Sequence, residues 1–279
     1  MKLFVVGGDM RICKMAETLI KDGIAVEALG LPPHIPAAQH PAEDTDAIVL
    51  GVPVSRQPGV LHAPFYAGEI TYDTLLALCR PSIPVFCGKP DAVLCEGFQK
   101  AGISYVDYML CEELAVMNAI PTAEGAVSIA LKEMPITLHG ANCLVVGYGR
   151  IGKYLSRLLA GCGASVTVSA RRPGDIAWIE ANGFHAVQTA EIDRHIADKV
   201  LVINTVPAPV LGKTALRHLG QNALIIDLAS APGGVDIAAA KLYDIKVIPA
   251  LSLPGKVAPV TAGAAIARTV TNLLLSTHR

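Results

Sequence analysis

The amino-acid sequence predicts an α/β fold of two domains, each built on a parallel sheet covered by helices. Three observations carry this reading. Short apolar runs alternate with helix-period segments from one end of the chain to the other. Hydrophobic residues make up 52% of the chain and aromatic residues only 5%, so the core is filled by Val, Ile, Leu and Ala, the usual content of strands buried on both faces. A length of 279 residues accommodates two domains of ordinary size.

In the first half, Leu3 to Val6 reads as a strand. Arg11 to Lys21 follows as a helix with Ile12, Met15, Ala16, Leu19 and Ile20 on one face. Further strands are predicted at Ala25–Leu29, Ala47–Leu50, Val85–Cys87 and Ser104–Asp107, with a helix over Ala92–Ala101. Between Gly51 and Pro81 the chain is rich in Pro, Gly and polar residues, which predicts long loops and a possible lid. Glu112–Ala119 and Ala123–Lys132 read as two helices interrupted at Pro121, with Thr122 able to cap the second, and this stretch connects the domains.

The second half predicts strands at Cys143–Val146, Ser165–Ser169, His185–Val187, Val200–Ile203, Leu224–Leu228 and Lys246–Ile248. Helices are expected at Ile151–Gly161, Pro173–Asn182, Thr214–Leu219, Val235–Tyr243 and Ala262–Leu275, and Leu253–Pro259 reads as a loop. The domains are expected over 1–120 and 121–261, with a cleft between them. The C-terminal helix, within 262–279, should pack back on the first domain.

A formal net charge of -1 predicts no broad nucleic-acid or anionic-membrane footprint. Seven cysteines without a C-x-x-C pair, and without a closely spaced His, suggest reduced thiols and no metal site. The opening apolar run is broken at Gly7-Gly8-Asp9, unlike a secretory signal, and no run reads as long enough to span a bilayer. A cytoplasmic protein is expected, and a homo-oligomer is compatible with the sequence.

The chemistry concentrates in the second half. Gly147-Tyr148-Gly149-Arg150-Ile151-Gly152 lies between an apolar strand and a helix. There Gly147 permits the tight turn, Gly149 lets backbone approach a pyrophosphate, and Gly152 lets the helix lie on the strand. The free N–H groups at the helix start bind the anion. This predicts a Rossmann-type NAD(P)-binding domain. The next strand ends in Ser169-Ala170-Arg171-Arg172 with no carboxylate to accept from a ribose 2′-hydroxyl. Arginine can instead pair with a 2′-phosphate, so NADP is the expected cofactor, with NAD possible. Asn204, Thr205 and Val206 follow a later strand at the edge where the nicotinamide half would bind, or they serve only the turn.

Candidates for a substrate are fewer. Ser230 ends a strand on the same side, and Lys256 is the cation of its loop; either can meet an anionic substrate or simply face solvent. In the N-terminal α/β substrate domain, Ser55 and Arg56 follow a strand and can hold a carboxylate, with His62 nearby; exposed Ser, Arg and His are also common without a role. No catalytic acid or base is identified.

The sequence resembles the A-type family of dipicolinate synthase subunits, the dehydrogenase-like half of that enzyme. The segments that carry the resemblance are Asn118 to Ala126 around Glu124, the Gly147 fingerprint, Asn204 to Pro207, Pro232 to Asp236 and Pro254 to Gly263, together with Gly7-Gly8-Asp9 and Gly51 to Ser55. The resemblance covers nearly the whole chain. It implies NAD(P)-dependent oxidation of a dihydro- or hydroxytetrahydrodipicolinate to dipicolinate, the pyridine dicarboxylate of bacterial spores. It also implies, as partner, the flavoprotein-like B-type subunit of dipicolinate synthase, and a place in the mother cell of a sporulating bacterium.

Two other readings compete. A two-domain dehydrogenase of the hydroxy-acid type needs a late His as base, and no His lies between His218 and His278. An alanine-dehydrogenase-like enzyme using His62 and Lys89 is the remaining form of that reading. The other is a nucleotide-binding subunit without its own activity.

Overall fold

The computed structural model describes residues 1–277; His278 and Arg279, expected at the end of the last helix, lie outside the described residues. The chain divides into two compact units, Met1–Asn118 with the chain from Ala258 onward, and Ala119–Val257. The expected changeovers were after 120 and after 261.

The first unit contains β1 (Lys2–Val6), α1 (Met10–Lys21), β2 (Ala25–Leu29), β3 (Ala47–Leu50), α2 (Tyr72–Leu78), β4 (Val85–Cys87), α3 (Ala92–Lys100), β5 (Tyr105–Asp107) and the start of α4 (Glu112–Glu133). Its five strands are all parallel, in the order β2-β1-β3-β4-β5. Because β1 is buried on both faces, it reads as a continuous apolar run. Leu3 and Val5 pack with Ile12, Met15 and Leu19 of α1, while Phe4 and Val6 pack with Leu75 of α2 and Phe98 of α3.

The second unit continues from α4 into β6 (Asn142–Val146), α5 (Arg150–Gly161), β7 (Ser165–Ala170), α6 (Pro173–Ala181), β8 (His185–Gln188) and α7 (Ile192–His195). Then come β9 (Leu201–Asn204), α8 (Lys213–Leu216), β10 (Leu224–Asp227), α9 (Ile237–Leu242), β11 (Lys246–Pro249) and α10 (Leu253–Val257). All six strands are parallel, in the order β8-β7-β6-β9-β10-β11. That is the 3-2-1-4-5-6 order of the Rossmann fold, reversing between β6 and β9. Cys143 and Val145 face Leu155 and Leu159 of α5, and Leu144 and Val146 face Ile192 and Leu216 on the other side.

Three local expectations are corrected. The Gly51–Pro81 stretch holds α2: Thr71 caps it by accepting from Thr74 N at 3.1 Å, and Tyr72, Leu75 and Leu78 are its buried face. The polar surroundings hid that spacing. Lys256 belongs to the short helix α10, not to a loop. Finally, α4 runs through Pro121 without a break, so Thr122 lies inside the helix and not at the start of a second one. Proline removes one N–H from a helix interior, but buried side chains on both sides hold α4 in register, Leu114 in the first unit and Ala123, Ala126, Val127 and Ala130 in the second. Continuity also makes α4 long and apolar enough, by length and composition, to cross a membrane, contrary to expectation; 44% of that window is buried in the fold.

The last helix, α11 (Pro259–Thr277), packs on α1 within the first unit. Small residues allow the close approach: a methyl group at Gly263 would lie 2.6 Å from the Arg11 carbonyl oxygen and 2.8 Å from Met15 N. Both obstacles are backbone, so neither can swing aside. Gly263→Ala should therefore destabilise the protein by about 1–3 kcal/mol, the usual cost of overpacking, read as a lower urea midpoint. The same substitution at the open Gly23, which meets nothing within 4 Å but has φ 82°, is the comparison for backbone strain alone.

Candidate functional site

In the second unit the strand order reverses at the C-terminal ends of β6 and β9, where open α/β sheets bind ligands. The β6 strand runs directly into Gly147, whose φ of 100° lies in the left-handed region. Gly147 N donates to Ser169 O at 3.0 Å, tying the turn to the end of β7. A methyl at Gly152 would sit 2.1 Å from the Gly147 carbonyl oxygen, and one at Gly147 would sit 2.5 Å from Thr205 Oγ1. At Gly149, the N-cap of α5, a methyl would meet nothing within 4 Å. Two glycines thus permit close packing, while the third faces open space at a helix N-terminus. That is the division of labour a pyrophosphate requires, and the residues present fit a dinucleotide.

The other predicted residues distribute unevenly. Tyr148 turns inward and joins the core, with Lys153 Nζ 5.6 Å from its ring centroid, while Ile151 is half-buried. Arg150 is exposed at the first turn of α5. Arg171 and Arg172 are both exposed, and neither makes an ion pair among the described residues. Arg172 caps α6, its carbonyl accepting from Asp175 N and Ile176 N.

Asn204 is fully buried, and its amide is spent inside the protein. Its Nδ2 donates to Asp227 Oδ1 at 2.8 Å and to Val206 O at 3.0 Å, and its Oδ1 accepts from Val206 N at 3.1 Å. Asp227 also accepts from Ala229 N at 3.1 Å and Gly234 N at 3.2 Å. Thr205 Oγ1 donates to Val146 O at 2.8 Å. These side chains brace the sheet edge. Ser230 is exposed on the turn after β10, where its carbonyl accepts from Gly233 N at 2.9 Å, and Lys256 is exposed on α10.

In the first unit the order reverses between β1 and β3. Asp9 caps α1 and holds the Arg11 guanidinium, with Arg11 Nη2 2.7 Å from Asp9 Oδ2; the same nitrogen donates to Val52 O, next to the cis Val52–Pro53 bond. Gly7 N and Gly8 N already donate to Leu29 O and His62 O, so these two backbone donors are not available to a ligand. Ser55 is likewise occupied, donating to Gln57 O and accepting from Gln57 N. Arg56 is exposed, and His62 is half-buried with its pKa held below the ordinary value by burial, then by Arg56. Lys89, at φ 58°, holds a left-handed conformation through its N–H donating to Asp107 Oδ1 at 3.0 Å. Sequence reasoning missed the Asp9–Arg11 pair and the conformation of Lys89. The Asp-x-Arg spacing at a glycine turn was the available signal for the first; nothing local signals the second.

Comparison with known proteins follows the same division. Residues 2–109 match the family described as the N-terminal domain of the dipicolinate synthase A-subunit, and residues 134–238 match "Putative NAD(P)-binding". The dipicolinate synthase A-subunit of Bacillus subtilis (strain 168) is 32% identical over 98% of this chain and 96% of its own length. The chain belongs to the dipicolinate synthase A-subunit family. The crystal structure of the Bacillus subtilis relative superposes with a TM-score of 0.91 at 31% identity, covering 100% of this chain and 97% of that one. The crystal structure of the Bacillus halodurans relative gives a TM-score of 0.90 at 29% identity, covering 98% and 97%. The second unit is therefore an NAD(P)-binding domain, and the family name implies a partner subunit.

Replacing Asp227 by Ala would leave Asn204 Nδ2 and two backbone N–H groups without their acceptor. Thermal unfolding of Asp227→Ala should show a loss of about 3 kcal/mol, and dinucleotide titration should show weaker binding, because the same edge carries the glycine turn.

Proposed function

We propose that the chain is the NADP-dependent dehydrogenase component that oxidises dihydrodipicolinate, or its hydroxytetrahydro precursor, to dipicolinate. It acts with the flavoprotein-like B-type component, in the cytoplasm of the mother cell of a sporulating bacterium. The observation that carries the cofactor assignment is the end of β7. Beside the glycine turn it offers no carboxylate, only Ser169, Ala170 and the two exposed arginines. An acidic residue there would repel a 2′-phosphate, and exposed guanidinium groups pair with one.

When bound, the nicotinamide supplies the hydride acceptor. The chain's own residues have lesser tasks: N–H groups at the α5 start hold the pyrophosphate, and Asn204 and Asp227 keep the edge rigid as positioning residues. The substrate is a ring bearing two carboxylates. Within the first unit the candidate partner for such a charge is Arg56; within the second the candidates are Ser230 and Lys256. Ser55, bonded to Gln57, supports the turn that presents Arg56. Forming a pyridine gains aromaticity, so positioning and charge neutralisation suffice for much of the reaction.

Titration with NADP(H) and NAD(H) should give tighter binding of NADP(H). Arg171→Ala and Arg172→Ala should narrow the gap by reducing NADP(H) affinity alone; equal affinities in the unmutated chain would remove the assignment. For the substrate, Arg56→Ala should weaken kcat/KM by about 2 kcal/mol, the lower end for loss of one partner of a desolvated charge, with NADP(H) affinity unchanged. Unchanged kcat/KM in that variant would make Arg56 a surface residue.

A further inference from the structure

The ring of pyridine-2,6-dicarboxylate carries its two charges on one edge, flanking the ring nitrogen, so cations on adjoining loops can meet both. We propose that Lys89 holds the second carboxylate of the substrate beside Arg56, so that the first unit by itself binds both charges. The inference rests on the dehydrogenase reading given above and chooses the partners of its dicarboxylate.

Position comes first. The strands β3 and β4 lie side by side and parallel, and the chain leaving them is joined by two bonds. Gly88 N donates to Gly51 O at 3.2 Å, and Val54 N donates to Gly88 O at 3.0 Å. Arg56 lies just beyond Val54 and Lys89 follows Gly88, so both leave the same joint. Gly88 itself has no room for a side chain, because a methyl there would lie 2.5 Å from Val52 Cβ and 2.6 Å from Tyr108 Oη. Lys89 is the first residue past β4 with a side chain, and it is exposed.

The conformation singles this lysine out. Lys89 has φ 58°, in the left-handed region that suits glycine and disfavours a residue with a Cβ. Every other described residue of the first unit with positive φ is a glycine: Gly7, Gly8, Gly23, Gly30, Gly59 and Gly102. The bond that holds the turn, from Lys89 N to Asp107 Oδ1, is a backbone bond that glycine would keep. The turn has no use for a lysine side chain, so the ammonium is what the position supplies.

The ammonium is not spent inside the unit. Lys89 and Arg56 are both exposed, and neither makes an ion pair among the described residues. The neighbouring carboxylates are engaged elsewhere. Asp107 Oδ1 accepts from Lys89 N and Met109 N, and Asp91 accepts from Leu94 N and the Tyr72 hydroxyl. Two cations therefore remain at the joint. Arginine offers a planar fork to one carboxylate, and lysine a compact charge that turns to meet the other.

The test uses Lys89→Gly, which removes the ammonium and relieves the backbone. Its thermal midpoint should rise by about 2–4 °C. Calorimetry, with and without NADP(H), should show pyridine-2,6-dicarboxylate bound about tenfold more weakly or worse, as for loss of one hydrogen bond to a charged group. Pyridine-2-carboxylate, with one charge fewer, should lose far less, so the preference for the dicarboxylate shrinks. Lys89→Arg should restore that preference, and NADP(H) affinity should stay unchanged throughout. In turnover, Lys89→Gly should raise KM more than it lowers kcat. A merely structural lysine would not give a variant that is more stable yet binds the dicarboxylate less well. If the unmutated chain binds the dicarboxylate and Lys89→Gly keeps both affinity and preference, this inference alone falls. If the dicarboxylate binds in neither condition and no turnover occurs with or without the partner protein, the dehydrogenase reading falls and takes Lys89 with it.

Discussion

The dinucleotide edge of the second unit depends on one buried pair, Asn204 with Asp227. A carboxylate taken out of water is costly unless its acceptor sites are filled. Asp227 is filled by one side-chain and two backbone donors, drawn from β9, from the second residue past β10 and from the turn before α9. Asn204 passes the constraint on through both of its bonds to Val206, and Thr205 then bonds Val146 by backbone and hydroxyl. Val146 is the residue before the glycine turn. The pair also dictates sequence beside it, since a methyl at Gly234 would fall 2.2 Å from Asn204 Nδ2. Satisfied in this way, the pair makes several loops one rigid object.

The two sheets share a plan but finish their edges differently. Both begin with a strand, a glycine turn with positive φ and a twelve-residue helix, α1 or α5. In the first unit the turn's N–H groups are consumed by Leu29 and His62, and an aspartate caps the helix. An anion at that helix start would face the Asp9 carboxylate. In the second, glycine caps the helix without a side chain and leaves the approach open. The chemistry of one N-cap residue thus separates a phosphate-binding edge from one that presents side chains.

The strands and most helices were legible because parallel strands buried on both faces are continuous apolar runs, and the intervening helices carry a clear apolar stripe. The glycine fingerprint was legible for the same reason: each glycine answers a local steric demand. What escaped depends on contacts distant in sequence. The α4 helix survives Pro121 because of packing that no window around Pro121 displays. Asn204 read as a ligand contact, yet its partner Asp227 is 23 positions away, and only the fold shows the amide to be spent. His62 looked like a surface residue because the bonds that place it run to Gly8 and Val54 through backbone, which side-chain identity does not encode. The Asp9-x-Arg11 spacing hints at that pair but not at the bond from Arg11 to Val52, and Lys89 gives no local sign at all, since Val52 and Asp107 become neighbours only when the sheet forms.

The return of α11 to α1 has a consequence for the order of events during synthesis. The second unit is inserted into the first, so every residue of the inserted unit leaves the ribosome before α11 does. Until then the α1 face carrying Met15 and Leu19 lacks Ile266, Val270 and Leu274, with which it shares a core. The unit that begins first is completed last, and a nascent chain whose second unit has emerged but whose α11 has not displays an unfinished apolar surface while its nucleotide domain is already complete.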